Sequence, residues 1–599
     1  ALTRIARSPS GSAETEIALP DEATAHRGFR IHPVMLDAAL QTLAAAMPAE
    51  SLENSTEVTY LPVAIETLRV FGDVGRRARC RAELISVDDA GAVGRITLMD
   101  DTGTPLTQIT GVYLRRVQRR TLPLPLAQKV FDTVWQQTAT LSEIVAAQAP
   151  PPAGSWLLLT HDPDVNDIAE DFAAGFGSPT RRVITADLAD ESAVLEAFAK
   201  TAADPELPPL GVVVFVGPGE FDGTDADDGL AHARELIWAI SAAVRAVVGG
   251  WHGKSPRLWL VTRNGLVVGG DESGDPAVGA LKGLIRVLAY EHPDLRATLV
   301  DLDASGDAVA RLTAELESPD SDDLIAWRGE SRYVERLVRA TVGARERDRV
   351  VRSDGSYIVS GGLGGVGMVV ARWLVDSGAA RVVLNGRSGP SESQREDLAE
   401  LETRAEVVVV QGDIASPGTA ERLVAAAEES GRPLRGVVHS AAVIDDQIVA
   451  TLDRDSLERV WAPKAVGAWR LHTATADREL DWWVGFSSVA SLLGSPGQAA
   501  YACANGWLDG LVAWRKASGL PATTINWGQW SDVGVARSLS LGVLDPISPA
   551  EGIEALDALL AGNLAQVGVA RLRLDRAAAA FPEIQQLGYF ANLAGELEA

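Results

Sequence analysis

Between residues 156 and 527, short apolar runs alternate with segments long enough for a helix, and this alternation limits the fold more than any other feature of the chain. Apolar runs at 156–160, 212–216, 258–261 and 297–300 form a first round. A second, longer round follows at 357–359, 382–384, 407–410, 436–439, 483–487 and 523–527. Strands joined by crossover helices run parallel, so the spacing predicts an α/β fold of two consecutive Rossmann-like units. Only the second round carries phosphate-binding chemistry. The first has Thr160-His161-Asp162-Pro163 where a glycine loop would stand, and it reads as degenerate.

In the second round, Ser360-Gly361-Gly362-Leu363-Gly364-Gly365-Val366-Gly367 follows a strand and opens a helix. Gly362, Gly364 and Gly367 have the G-x-G-x-x-G spacing. The first glycine would make the tight turn, the second would let backbone approach a pyrophosphate, and the third would let helix pack on strand. A glycine-rich turn without ligand is the plain alternative, and the strand–turn–helix context argues against it. Twenty residues after Gly367 stands Asn385-Gly386-Arg387-Ser388, with no acid for ribose hydroxyls. Arg387 suits a 2′-phosphate and Ser388 can add a hydrogen bond, so the expected cofactor is NADPH.

Ser488 and Tyr501 lie 13 residues apart, and Asn505 follows Tyr501 by four, one helical turn away on the same face. A phenol serves carbonyl reduction as a general acid. An ordinary short-chain dehydrogenase has Tyr-x-x-x-Lys, whereas this chain has Tyr-Ala-Cys-Ala-Asn.

The glycine loop, Asn385-Gly-Arg-Ser, Gly412-Asp413-Ile414, Val-Val-His439-Ser-Ala441-Ala442, Pro463-Lys464-Ala-Val-Gly and Gly497-Gln-Ala-Ala-Tyr501-Ala-Cys-Ala-Asn505 resemble, in this order, the ketoreductase of modular type I polyketide synthases. The resemblance implies that Lys464 takes the lysine role, lowering the Tyr501 pKa and holding the nicotinamide ribose. It implies that Tyr501 donates the proton, Ser488 polarises the keto oxygen, and Asn505 supports Lys464 through a water or a backbone contact. Gly362, Leu363, Gly364, Gly365 and Gly367 would cradle the cofactor. Arg387, Ser388, Asp413, Ile414, Ala441 and Ala442 would border its adenosine half. It further implies a β-ketoacyl chain tethered to the phosphopantetheine of an acyl carrier protein as partner, with other domains of the synthase module alongside. Ile444-Asp445-Asp446 stands where D-type (B-type) ketoreductases carry Leu-Asp-Asp. Leu493 stands where the opposite class has tryptophan, and Cys503 where epimerising enzymes have proline. A D-hydroxyl product without epimerisation is expected.

Before residue 119 the pattern changes. Alternating runs at 77–85, 94–99 and 107–116 read as strands and 33–47 as a helix, an α+β hotdog-like arrangement. His32-Pro-Val-Met-Leu-Asp37-Ala-Ala-Leu-Gln41 resembles the second active-site motif of polyketide synthase dehydratases, with Asp37 as the catalytic acid. Its His-x-x-x-Gly-x-x-x-x-Pro partner motif does not occur, so 1–118 reads as the C-terminal half of a dehydratase, not expected to dehydrate alone. Asp37 as a helix cap is the plain alternative.

The expected organisation is 1–118 dehydratase half, 119–154 linker, 155–345 degenerate structural subdomain, 350–585 catalytic subdomain and 586–599 linker towards a carrier domain. The opening residues read as mid-domain, so an excised piece of a larger synthase is expected, in wording similar to mycobacterial lipid synthases. No apolar run approaches the ~18–20 residues of a membrane span. The net charge of −27 argues against nucleic acid and anionic membrane. Two distant cysteines, Cys80 and Cys503, suggest neither metal nor disulfide, as in a reduced cytoplasm.

Overall fold

Among the described residues, both rounds of apolar strands join one sheet of fifteen strands. In this computed structural model the described residues are 2–8, 11–19, 30–47, 58–88, 91–118, 124–147, 153–160, 167–178, 181–202, 206–217, 226–250, 255–270, 272–305, 307–317, 320–342, 350–531, 533, 543–562, 564–574, 576–577 and 587–596. Contacts divide the chain into a unit spanning residues 1–123 and another spanning 124–599.

The first unit is an antiparallel sheet with one helix on it. Its strands are β1 (Leu2–Ser8), β2 (Ser12–Ala18), β3 (Val58–Val70), β4 (Arg77–Val87), β5 (Gly91–Met99) and β6 (Pro105–Gln118), in the order β1-β2-β4-β5-β6-β3. Helix α1 (Pro33–Ala45) turns Met35, Ala38, Ala39 and Leu43 onto Cys80, Ile96, Leu98 and Ile109. This is the expected α+β hotdog-like layout. β3 escaped the pattern reading because it is an edge strand: Pro62 interrupts it, the register shifts there, and Val63 is 58% exposed.

The second unit holds the two Rossmann-like halves. In the catalytic half, β15 (Ser356–Ser360), β16 (Arg381–Gly386), β17 (Glu406–Gln411), β18 (Leu434–His439), β19 (Trp482–Ser488), β20 (Thr523–Trp527) and β22 (Gln566–Val569) are parallel, ordered 17-16-15-18-19-20-22. That is the doubly wound order, with its switch point between β15 and β18. Beside it, β21 (Leu544–Asp545) and β23 (Arg571–Leu572) pair as a separate two-stranded ladder. The other half runs β9 (Arg181–Asp187), β8 (Gly154–Thr160), β10 (Pro209–Phe215), β11 (Arg257–Arg263), β12 (Thr298–Leu302) and β13 (Leu324–Arg328). It has one strand outside β8 where the catalytic half has two outside β15, consistent with a degenerate unit. Its expected loop substitute, residues 161–163, lies outside the described residues.

Two boundary expectations need correction. Residues 119–154 are not a connector throughout, because β7 (Val130–Thr140) sits in the sheet between the halves. It pairs antiparallel with β22 at Phe131–Gly568 and with β14 (Ser331–Arg339) on its other edge. Nor are residues 586–599 simply a linker: Tyr589 is buried, its ring 3.4 Å from the Arg286 guanidinium and its hydroxyl donating to Leu492 O at 3.0 Å. Their apolar residues come in adjacent pairs, Val130-Phe131, Val134-Trp135 and Tyr589-Phe590, set among polar and small residues with no regular period, so packing partners reveal their structure.

Candidate active site

β15 ends at Ser360 and helix α2 (Gly365–Asp376) begins after Gly364, its N-cap. The left-handed residue of the turn is Gly361, φ +68°, immediately before the first glycine of the spacing. A Cβ there would stand 2.8 Å from Ala441 N, so the backbones following β15 and β18 nearly touch. Gly362 is needed for another reason: its Cβ would stand 2.7 Å from Val359 O. On Gly367 a Cβ would strike Gly361 O at 2.3 Å, so the first turn of the helix packs directly on the glycine turn. Gly364 would meet only Gly361 O, at 3.1 Å, so its other side is open to an approaching phosphate at a helix N-terminus.

This turn borders a cavity of about 750 Å³. Leu363, Gly364, Gly365, Gly367, Arg387, Ser388, Asp413, Ile414, Ala441 and Ala442 all line it, whereas Gly362 lies behind the turn. Arg387 and Ser388 are exposed at the end of β16. Asn385 occupies the place where an acid would bind ribose and instead bridges strands, donating Nδ2 to Val410 O at 3.1 Å and Gly412 O at 2.9 Å. Asp413 accepts from Ala415 N at 2.9 Å through Oδ1.

Lys464, Ser488 and Tyr501 line the same cavity. Helix α3 (Arg454–Trp461) runs into a π-turn, Ala462–Val466, which carries Lys464. Its buried Nζ donates to Phe486 O at 2.8 Å. Burial pulls the ammonium down to about 7, and the Asp509 carboxylate opposes that shift. Behind it, His439 Nε2 bonds to Lys464 O at 2.9 Å and Nδ1 to Ser360 Oγ at 2.7 Å. A carbonyl only accepts, so Nε2 carries the hydrogen and Nδ1 accepts from Ser360. Burial, and then the Lys464 charge, push this imidazole down to about 3, so it is neutral near pH 7.

Tyr501 and Asn505 sit one turn apart on helix α4 (Ala499–Ala517). Asn505 Nδ2 donates to Tyr501 O at 2.8 Å, a backbone contact on its own helix. Its buried Oδ1 has no partner among the described residues. Burial raises the Tyr501 phenol above its ordinary value, Asn505 and Ser488 draw it back, and Asp446 raises it further. With its pKa raised above the ordinary value, the phenol is protonated near pH 7, which is the form a proton donor needs.

Sequence reasoning missed the support beneath Ser488. Asn526 Nδ2 lies 2.9 Å from Asp509 Oδ2, 2.9 Å from Ser491 Oγ and 3.2 Å from Ser488 O, and Ser491 Oγ donates to Asp509 at 2.8 Å. Two signals were available. Asp509 lies eight residues beyond Tyr501, on nearly the same helix face, and Asn526 is a lone amide in an apolar strand.

Ile444 and Asp446 line the cavity, and Gln498 Nε2 donates to Asp446 at 3.0 Å. Asp445 turns away, held by Arg459 Nε at 2.9 Å and Ser456 Oγ at 3.0 Å. Leu493 lines the other side and Cys503 is buried off the cavity. Beyond Tyr501 the walls become apolar, with Trp530, Leu544, Leu572, Leu574 and Phe590. In the first unit, Asp37 accepts from Gln41 Nε2 at 2.8 Å. The cap of α1 is His32, whose Nδ1 accepts from Val34 N at 3.2 Å, so the capping alternative for Asp37 fails. Among the described residues no group of side chains is arranged to hold a metal, and no helix is long and apolar enough to cross a membrane.

Comparison with known proteins agrees with this geometry. Residues 355–532 match the KR domain family, 136–337 the "Polyketide synthase extender module SpnB, Rossmann fold domain" family, and 1–123 the "Polyketide synthase dehydratase N-terminal domain" family. The whole chain is 59% identical, over 616 aligned residues, to a phenolphthiocerol/phthiocerol polyketide synthase polypeptide of Mycobacterium tuberculosis, and spans 33% of that protein's length. A mycocerosic acid synthase-like polyketide synthase of the same species is 51% identical over 226 residues, covering 38% of this chain and 11% of that protein. Among solved structures, "Structure of A-type Ketoreductases from Modular Polyketide Synthase" matches with TM-score 0.67 and 31% identity, covering 79% of this chain and 99% of that one. The first ketoreductase of the tylosin synthase matches with TM-score 0.66 and 28% identity, covering 80% and 100%. With these likenesses and a glycine turn that shares one cavity with Lys464, Ser488 and Tyr501, the chain belongs to the ketoreductases of modular polyketide synthases.

Proposed function

We propose that residues 350–585 reduce a carrier-tethered β-ketoacyl thioester to the β-hydroxyacyl thioester with NADPH. One observation carries this reading: Lys464, Ser488 and Tyr501 line the same cavity as the glycine turn and Arg387. The residues present fit the cofactor. Gly364 leaves an open cradle at a helix N-terminus, Arg387 suits a 2′-phosphate, and Lys464 spends one ammonium hydrogen on Phe486 O. When bound, NADPH supplies the hydride.

The chain's own residues do the rest. Ser488 donates a hydrogen bond to the keto oxygen, which becomes the alkoxide. Tyr501, protonated because burial raises its pKa, gives its proton to that oxygen. Lys464 holds the ribose hydroxyls, and Asn505 acts through the Tyr501 backbone.

The D-hydroxyl outcome is part of the same proposal. Ile444 and Asp446 form the wall where the D-type signature stands, and Leu493 faces them in place of a tryptophan. Two solved relatives are described as A-type and A1-type ketoreductases, at 31% and 30% identity. Those class names belong to the relatives, and the three positions of this chain favour the other class. We further propose that the substrate's partner is an acyl carrier protein in a cytoplasmic synthase, and that residues 1–118 are the C-terminal half of a dehydratase using Asp37. That half-assignment rests on the His32–Gln41 motif alone, because the matching family is described as the N-terminal domain. The test is mass spectrometry and chiral chromatography of products from a panel of β-ketoacyl thioesters with NADPH. A D-alcohol is expected. A predominantly L-alcohol overturns the stereochemical reading, and no alcohol from any thioester overturns the reductase.

A further inference from the structure

Helix α5 (Pro276–Glu291) belongs to the half without a glycine loop, yet it packs along the catalytic helix α4. Their backbones are in contact. A Cβ on Gly279 would stand 2.5 Å from Gly506 O, one on Gly283 2.4 Å from Ala502 O, and one on Gly506 2.3 Å from Gly279 O. Ala502 is the residue after Tyr501, so α5 is set against the catalytic helix at the level of the phenol. A sliding motion of either helix would drive these backbones into each other.

The last two residues of α5 bond to segments that line the cavity or adjoin its lining. Tyr290 lines it, and its hydroxyl donates to Leu493 O at 2.7 Å. Glu291 uses both carboxylate oxygens: Oε1 accepts from Gly497 N and Oε2 from Val449 N, each at 2.7 Å. Gly497, φ +83°, precedes the N-cap of the catalytic helix. Val449 opens the 3-10 turn that follows the Ile444–Gln447 segment. The two segments also join directly, through Gln498 to Asp446 and the bridge between Gln447 and Gln498. One carboxylate thus ties the segment before the catalytic helix to the segment after Gln447, and the neighbouring phenol holds the backbone at Leu493. Hydrogen bonds to an ionised acceptor are about twice as strong as neutral ones, so this cross-link is the stiffest available to backbone amides at these positions.

We propose that Tyr290 and Glu291, supplied by the half that lacks a glycine loop, are positioning residues that hold the two substrate-side walls at the spacing that selects one face of the ketone. Neither touches the reacting atoms. The inference rests on the reductase reading above, and it does not depend on which alcohol the parent protein makes.

The experiment compares the full chain with Glu291→Gln and Tyr290→Phe, using one β-ketoacyl thioester and NADPH. Glutamine keeps the shape but offers one acceptor and places an amino group against the second amide hydrogen. We expect the substrate KM to rise about tenfold and the fraction of minor stereoisomer to rise similarly, since a hydrogen bond to a charged group is worth about a factor of ten or more. NADPH affinity should stay at the parent value, because the hydrogen bonds removed go to Leu493, Gly497 and Val449 and not to the glycine turn or Arg387. A merely structural role would lower activity and yield together without changing the isomer ratio. If Glu291→Gln does not fold, Tyr290→Phe carries the test. Parent-like KM and isomer ratio in the folded variants overturn the inference while leaving the reductase intact. A parent inert towards every thioester overturns the reductase reading and this inference with it.

Discussion

His439 donates a hydrogen bond from Nε2 to the main-chain oxygen of Lys464, 2.9 Å away, from the end of the strand beside the glycine turn. Through Ser360 Oγ on its other nitrogen, the imidazole links the cofactor turn to the π-turn that carries the ammonium. His439→Phe removes both links: Lys464 O keeps only the Gly467 N–H of its own helix, and the buried Ser360 hydroxyl loses its imidazole acceptor. The expected loss is about 1–3 kcal/mol of stability, together with weaker NADPH binding. Thermal unfolding and a fluorescence titration check both, and unchanged NADPH affinity would show that Lys464 is held by other means.

Tyr501→Phe should reduce turnover by about 10²–10⁴-fold, the usual range for a lost general acid, with little change in melting temperature. Single-turnover kinetics at saturating NADPH measure it. Turnover within a few-fold of the parent would place the proton donor elsewhere.

Arg387→Ala should weaken NADPH markedly and leave NADH nearly untouched, because only NADPH presents a 2′-phosphate to the guanidinium. The two dissociation constants, measured side by side, decide the point. Equal use of both cofactors by the unaltered protein would refute the assignment.

Lys464→Met tests the buried ammonium through pH. Burial lowers the folded-state pKa to about 7 from the ordinary 10.5. Between those values the unfolded chain binds more protons than the folded one, so the parent gains stability as pH rises. Below pH 7 both states are protonated and the penalty of burying the charge is present in full. Methionine has no such dependence. Melting temperatures of the two proteins at pH 6.5 and 9.5, without cofactor, should diverge in the parent's favour at the higher pH. A constant difference would mean that the ammonium is not desolvated.

Gly361→Ala should destabilise the catalytic half and abolish NADPH binding. The residue is left-handed, and a Cβ would press on Ala441 N at 2.8 Å, where the neighbour is backbone and cannot turn aside. Gly364→Ala meets only one atom, at 3.1 Å, so it should fold normally and lose cofactor affinity alone. Circular dichroism with a titration separates the two outcomes.

The second Rossmann-like unit, the cofactor turn and the residues around Tyr501 were legible in the order of residues alone. Period and spacing are local properties: parallel strands buried on both faces read as continuous apolar runs, and a phosphate turn is written in consecutive glycines. The α1 helix was equally legible from Met35, Ala39 and Leu43. It took the folded arrangement to show that β7 joins the two halves and that Tyr589 packs on Arg286. The same holds for the left-handed conformation of Gly361, for the Asn505 bond to Tyr501 O, and for Glu291 spanning Gly497 and Val449. Most of these depend on which backbone lies opposite, often more than a hundred residues away. Glu291 lies 158 and 206 residues from its two partners, and no local pattern encodes contacts at such separations.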